Sequence, residues 1–243
     1  MFELINVTKS YGNKKAVDDV SFLLSKGELC GFVGGNGAGK TTLIKIITGI
    51  ISFDFGDVVL DGISIKDTPK EFKKNIAYVP DIPYIYDYMT PMAFWCFILD
   101  VYEVNPDYGV AMIEKYSKLF ELNEHINQPI SSFSKGMRQK VALIAAFIHP
   151  SKVYILDEPF SGLDPKSILA LKKVLKNKIE DDCCILFSTH ILDIAEKICN
   201  RIIAIKDGKV IIDEIYRDNQ KSSYGLEAKL IGVMYDEQNT NLS

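Results

Sequence analysis

Gly34-Gly35-Asn36-Gly37-Ala38-Gly39-Lys40-Thr41 decides how the rest of this 243-residue chain is read. It fits the phosphate-binding pattern G-x-x-x-x-G-K-[ST]. The apolar run Leu29-Cys30-Gly31-Phe32-Val33 ahead of it is strand-like, and residues 42–47 behind it read as a helix. In that order, glycines let the backbone curl so that successive N–H groups face phosphate oxygens, while the helix N-terminus adds its positive dipole end. Lys40 is expected to reach the β- and γ-phosphates, and the Thr41 hydroxyl to ligate Mg²⁺. The glycine spacing does not fit G-x-G-x-x-G, which disfavours a dinucleotide-binding turn.

Composition sets the outer limits. With 47% hydrophobic and 25% charged residues the chain is an ordinary globular one, long enough to bury a substantial core. A net charge of −4 gives no electrostatic footing for a nucleic-acid partner. The five cysteines (Cys30, Cys96, Cys183, Cys184, Cys199) include no C-x-x-C pair, and the adjacent Cys183 and Cys184, in an apolar run, read as buried free thiols of a reducing cytosol. No signal peptide is legible at the N-terminus, and no apolar run approaches a membrane span. A cytoplasmic chain, soluble by itself, is the expectation.

Outward from the phosphate loop, residues 2–7 and 16–24 read as strands separated by a turn at 9–14. Residues 49–57 read as a loop, 58–65 as a hairpin about Asp61-Gly62, and 76–80 as a short strand ended by Pro80. Character changes after that: 92–102, 108–121 and 136–149 carry helical periodicity, so residues 82–150 are expected to be a helical insertion. Strands at 152–156 and 183–188, helices at 165–179 and 191–199, and a hairpin about Asp207-Gly208 complete the pattern. The predicted fold is α/β, with a mostly parallel sheet, an N-terminal antiparallel β subdomain and an inserted α-helical subdomain. One unit is expected over 1–214, followed by a tail from 215 to 243 whose last eight residues, 236–243, read as disordered.

A phosphate loop needs a carboxylate on a neighbouring strand. Val153-Tyr154-Ile155-Leu156-Asp157-Glu158 supplies two acids at a strand's carboxyl end, where ligands collect in an open α/β sheet. Asp157 is assigned to Mg²⁺, and Glu158 to polarising a water beside the γ-phosphate. Asp164 and Pro165 look like the N-cap and first position of a helix. His190 closes the strand before it and is read as a γ-phosphate contact.

In this order the motifs resemble the ATP-binding subunit of an ABC transporter, over nearly the whole chain from residue 2 to 213. The resemblance implies that Tyr11 stacks on adenine. Gly34 to Thr42, including Gly35, Asn36, Gly37, Ala38, Gly39, Lys40 and Thr41, would form the Walker A loop, and residues 153–157 the Walker B strand. Glu158 would be the catalytic glutamate, with His190 as the switch histidine and Lys40 on the phosphates. Phe133-Ser134-Lys135-Gly136-Met137 takes the place of the signature Leu-Ser-Gly-Gly-Gln. In the family, two subunits pair head to tail, each ATP lying between one Walker A and the other signature. Ser134 and Gly136 are therefore implied in ATP binding, with ATP and Mg²⁺ as cofactors.

Two motifs depart from the family. Lys135 and Met137 replace glycine and glutamine of the signature, and Asp81 stands where a metal-contacting glutamine is usual. Asp81 can also offer an oxygen to a hard cation and is counted with Thr41 and Asp157 as a metal candidate. Both departures resemble the branch that exports drugs, antibiotics or peptides, whose membrane domain is usually a separate polypeptide. The resemblance thus implies a transmembrane permease, a second nucleotide-binding subunit, and a place on the cytoplasmic face of the cell membrane. The aromatic run from Ile82 to Leu99 falls where the family docks its permease: Tyr84, Tyr86 and Tyr88 suit a wet interface, whereas residues 94–99 are divided between docking and core. Two other classes stand beside this reading. A soluble ABC ATPase acting on nucleic acid or the ribosome usually has coiled-coil insertions or tandem cassettes, and this chain has neither. A switch that binds ATP without hydrolysing it sits poorly with Glu158 and His190.

Overall fold

The computed structural model describes residues 1–190 and 192–216, so the tail beyond 216, with the disorder expected at 236–243, lies outside the described residues. Two sheets organise the rest. The first is antiparallel, in the order β2 (Lys14–Leu24), β1 (Phe2–Tyr11), β4 (Phe55–Leu60), β5 (Ile63–Ser64). The second runs β10 (Lys209–Ile215), β9 (Arg201–Lys206), β3 (Leu29–Val33), β8 (Cys184–Thr189), β7 (Val153–Asp157), β6 (Ile76–Val79). All its pairs are parallel except β10 with β9.

The parallel strands are apolar because both faces are covered: every residue of β3, β7 and β8 is buried. On one face, Phe32, Ile155 and Leu186 meet α1 (Lys40–Ile47) and the inner side of the antiparallel sheet, including Phe2, Leu4 and Val20. On the other face, Ala77, Tyr154 and Phe187 join a core shared with the inserted helices. These are α3 (Pro91–Val101), α4 (Pro106–Leu119) and α5 (Lys135–Phe147), all lying between β6 and β7 in the chain. Thr90, Asn105 and Ser134 cap them with side-chain oxygens that accept from the backbone N–H three residues on. After β7 come α6 (Pro165–Glu180), capped by Asp164 as read, and α7 (Leu192–Ile198).

The aromatic run divides at α3. Phe94, Trp95 and Leu99 are core, and the Trp95 indole N–H donates to the Val141 carbonyl of α5 at 3.0 Å. Ile82, Tyr84, Tyr86, Tyr88 and Phe97 are exposed. All five cysteines are free thiols; Cys184 is buried as expected, with Cys30 and Cys199, but Cys183 is only half-buried.

Several boundaries differ from the sequence reading. β1 runs on to Tyr11, through register shifts between Leu4 and Ser10 that break the apolar alternation. β4 begins at Phe55, inside the expected loop. α2 (Pro69–Lys74) was not expected; it buries only Phe72 and so carries no readable period. β10 continues to Ile215, which places the boundary drawn after residue 214 inside a strand.

Arg201 ties the edges of both sheets together. Its guanidinium, 7% exposed, donates to both carboxylate oxygens of Asp213 at 2.7 and 2.8 Å, to Glu28 at 2.9 Å, and to the Leu23 carbonyl. Removing one partner of such a buried network leaves charges uncompensated. Arg201→Met should lower unfolding stability by about 3 kcal/mol, read as a reduced urea midpoint. The triple variant R201M/E28Q/D213N should recover part of that loss. An unchanged midpoint in R201M would remove Arg201 from this role.

Candidate active site

Strand register assembles the site. Val79 pairs with Leu156, Asp157 with Ser188, and Val33 with Thr189, so four neighbouring strands end at one level. The residues that follow them, Asp81, Glu158, His190 and the loop from Gly34, therefore emerge on the same edge. Asn36, Lys40, Thr41, Lys45, Tyr78, Asp81, Tyr84, Lys135, Asp157, Glu158, Ser161 and His190 line one cleft of about 510 Å³.

The loop 34–39 is shaped by contacts that exclude side chains. Gly39 has φ 108°, and a Cβ there would fall 2.3 Å from the Ala16 carbonyl oxygen. At Gly34 a Cβ would fall 2.5 Å from the Ile205 carbonyl oxygen. The Ala38 carbonyl accepts from the Gly208 N–H at 2.9 Å, which joins the loop to the β9–β10 hairpin. Thr42 lies within α1, which starts at Lys40. The Lys40 ammonium donates to the Gly34 and Gly35 carbonyls at 2.5 and 3.1 Å. Burial pulls its pKa below the usual lysine value, while the Glu158 and Asp157 carboxylates oppose that shift.

Asp157 is 4% exposed at the end of β7, and burial raises its pKa above the ordinary carboxylate value. A hydrogen bond from Ser188 works the other way, and the nearby Asp81 charge adds to the rise. Among the described residues, no group of three or more His, Cys, Asp or Glu side chains could hold a metal ion by itself. Thr41, Asp81 and Asp157 are instead a sparse, all-oxygen set beside a phosphate-type loop. Such a set fits a hard cation that takes its remaining ligands from phosphates and water, as Mg²⁺ does.

Glu158 sits at φ 48°, a left-handed conformation that costs a non-glycine residue about 1 kcal/mol. Two contacts hold it there. Its N–H donates to Ser188 Oγ at 2.9 Å, and its Oε2 lies 3.0 Å from His190 Nδ1. The Ser188 hydroxyl in turn donates to Asp157 Oδ1. One fully buried serine thus links the two acids and aims the second into the cleft. The sequence reading missed it, although a polar residue opposite Asp157 on the next parallel strand was the available signal.

Other candidates lie apart. Tyr11 ends β1, is 55% exposed and is not among the residues lining the cleft. Ser134 accepts from the Met137 N–H at 3.3 Å as the cap of α5, with Gly136 in the first turn. Neither of those two lines the cleft, although Lys135 between them does.

Ser188→Ala leaves the Glu158 N–H and the Asp157 carboxylate without that partner, a buried loss of about 1–3 kcal/mol. We expect turnover at saturating ATP to fall about tenfold or more, with nucleotide affinity changed less than about threefold. Turnover within about twofold of the parent would show that Ser188 does not position Glu158.

Comparisons with known proteins identify the family and the fold. Residues 17–161 match the ABC transporter family. The ABC transporter ATP-binding protein NatA of Bacillus subtilis (strain 168) is 34% identical, covering 93% of each chain. The SkfA peptide export ATP-binding protein SkfE of the same organism is also 34% identical, covering 88% of each. Among solved structures, an ATP-binding subunit of an ABC transporter superposes with a TM-score of 0.88 at 30% identity, over 98% of both chains. A dimeric ATP-binding cassette, MJ0796, in a post-hydrolysis state bound to ADP and Pi superposes with a TM-score of 0.80 at 26% identity, over 89% of this chain and 99% of that one. With the family match spanning more than half of the sequence and the relatives nearly all of it, this chain belongs to the ABC transporter family as an ATP-binding ATPase subunit.

Proposed function

We propose that this ATPase powers the export of drugs, antibiotics or peptides through a separate transmembrane permease, two subunits closing on ATP between them. The observation that carries the hydrolytic part is the convergence of Lys40, Asp157, Glu158 and His190 on one cleft. Lys40 holds the outer phosphates, Glu158 takes the proton of the attacking water, and His190 keeps the Glu158 carboxylate oriented. Mg²⁺ would be held by Thr41 and Asp157 with Asp81 nearby, and when bound would neutralise phosphate charge. Tyr11 would stack on the adenine, and glycines 34, 35, 37 and 39 with Asn36, Ala38 and Thr42 would surround the phosphates. Ser134 and Gly136 would meet the nucleotide of the second copy, which accounts for their standing outside their own chain's cleft.

Export is supported by the peptide-export role in the name of SkfE and by the Asp81 and Lys135 departures. The permease is supported by the exposed group of Ile82 with the aromatic Tyr84, Tyr86, Tyr88 and Phe97. Tyr86 packs against Tyr88 at 5.8 Å and against Phe97 at 6.3 Å, which makes a continuous aromatic surface of the kind that receives a short helix. No helix among the described residues is long and apolar enough to cross a membrane. The subunit would then sit on the cytoplasmic face of the membrane, with no nucleic-acid partner.

Four variants test this reading. Tagged Glu158→Gln with ATP should co-purify a multi-span membrane protein from detergent-solubilised native membranes. Recovery of soluble partners alone would point to the soluble class instead, and retained turnover in this variant would remove Glu158 as the base. Replacing Tyr86 and Tyr88 by Ala in that background should abolish the co-purification while nucleotide still binds. In parallel, Lys40→Ala should weaken ATP binding by about tenfold or more. Asp81→Ala should shift the Mg²⁺ dependence of turnover; an unchanged dependence would remove Asp81 from the metal set.

A further inference from the structure

Tyr11 is steered from a distant part of the chain. Asp54, the last residue before β4, reaches back to the end of β1. Its Oδ2 accepts from the Ser10 N–H at 2.7 Å, and its Oδ1 from the Lys9 ammonium at 3.1 Å. Those donors hold the Asp54 carboxyl below the ordinary aspartate value, the Ser10 N–H contributing most. The Asp54 N–H in turn donates to the Thr8 carbonyl at 2.8 Å, so this one residue fixes the chain over 8–10, immediately ahead of Tyr11. The Lys9 side chain is only 15% exposed, and its ammonium lies 5.7 Å from the centroid of the Tyr11 ring. That is within cation–π range. A ring with a cation on one side and 55% exposed keeps its other face for a planar ligand.

The other end of the same segment is anchored at the phosphates. α1 begins at Lys40, and the chain leaving it is fastened to its last turn. The Ile50 and Ile51 N–H groups both donate to the Lys45 carbonyl, at 2.8 and 3.2 Å, and the Gly49 N–H to the Ile46 carbonyl at 2.8 Å. Past Asp54 the chain is pressed on β1: a Cβ at Gly56 would fall 2.3 Å from the Ile5 carbonyl oxygen and 2.4 Å from that of Asn6. The run from 40 to 56 therefore joins the phosphate loop to the strand that carries Tyr11. We propose that Asp54 is a positioning residue for the nucleobase, holding residues 8–10 and the Lys9 ammonium so that Tyr11 presents one open ring face in register with the phosphate loop. The inference rests on the reading of Tyr11 as the adenine stack and adds what orients it. A ring already held in place loses less freedom on stacking, so the effect falls on affinity for the base and not on the phosphates.

The test compares two ligands on the full chain: ATP, and inorganic tripolyphosphate, which offers the phosphates without a base, each with Mg²⁺. Tyr11→Ala should weaken ATP binding about tenfold and leave tripolyphosphate within about twofold. Asp54→Ala should weaken ATP about fivefold with tripolyphosphate again within about twofold, and should add nothing to Tyr11→Ala in the double variant. Asp54→Asn keeps an acceptor for the Ser10 N–H but not the charge for Lys9. That variant and Lys9→Met should each lose about two- to threefold in ATP affinity. In steady state, Asp54→Ala should raise KM for ATP with kcat changed less than about twofold. Equal losses for both ligands in Asp54→Ala would make Asp54 a general support of the fold and overturn the inference. So would additive losses in the double variant, or an ATP affinity that Asp54→Ala leaves unaltered. An unaltered ATP affinity in Tyr11→Ala would instead remove the adenine stack on which the inference stands.

Discussion

Parallel pairing in register is the constraint on which the rest depends. Because β6, β7, β8 and β3 stop at matched residues, their continuations are delivered to one edge without any side chain having to search for another. A slip of one residue in β7 would turn Asp157 to the opposite face and carry Glu158 away from His190. With both faces of these strands buried, the register is held by how their side chains pack on each side rather than by a polar face turned to solvent. The hydrophobic core and the placement of the chemistry are thus one problem with one solution.

Around that frame, charge is used in two ways. Arg201 and Lys140 are structural: both are nearly buried, each is satisfied by carboxylate at close range, and each joins elements far apart in sequence. Lys40 and Lys135 face the cleft and rest on neutral oxygens, those of Gly34, Gly35 and Ser161. A cation held by neutral oxygens keeps its attraction for an anionic ligand, whereas one neutralised by a carboxylate does not. The modest net acidity of the chain gives no hint of this separation, which is local.

How much could be read in advance follows from the range of each signal. The phosphate loop, the Asp157-Glu158 pair and the buried strands are contiguous in sequence and carry their pattern in a few residues, so the fold class and the residues around the cleft were legible. Ser188 was not, because its importance comes from lying opposite Asp157 on another strand, 31 positions away. Lys135 was legible as a departure from the signature but not as a partner of Ser161, for the same reason. α2 was invisible because six residues with one buried side chain generate no periodicity. The division of the aromatic run needed coordinates too, since Trp95 and Phe97 differ in burial by the rotation of one helix rather than by their chemistry.

That division has a spectroscopic consequence. The chain has a single tryptophan, and Trp95 is sealed between α3 and α5 with its indole N–H on a backbone carbonyl. Its emission therefore comes from one site of known polarity and belongs to the inserted helices, not to the phosphate loop. The protein carries its own reporter for the packing of the inserted helices. A change in that emission on adding nucleotide would mark repacking between α3 and α5, away from the residues that line the cleft.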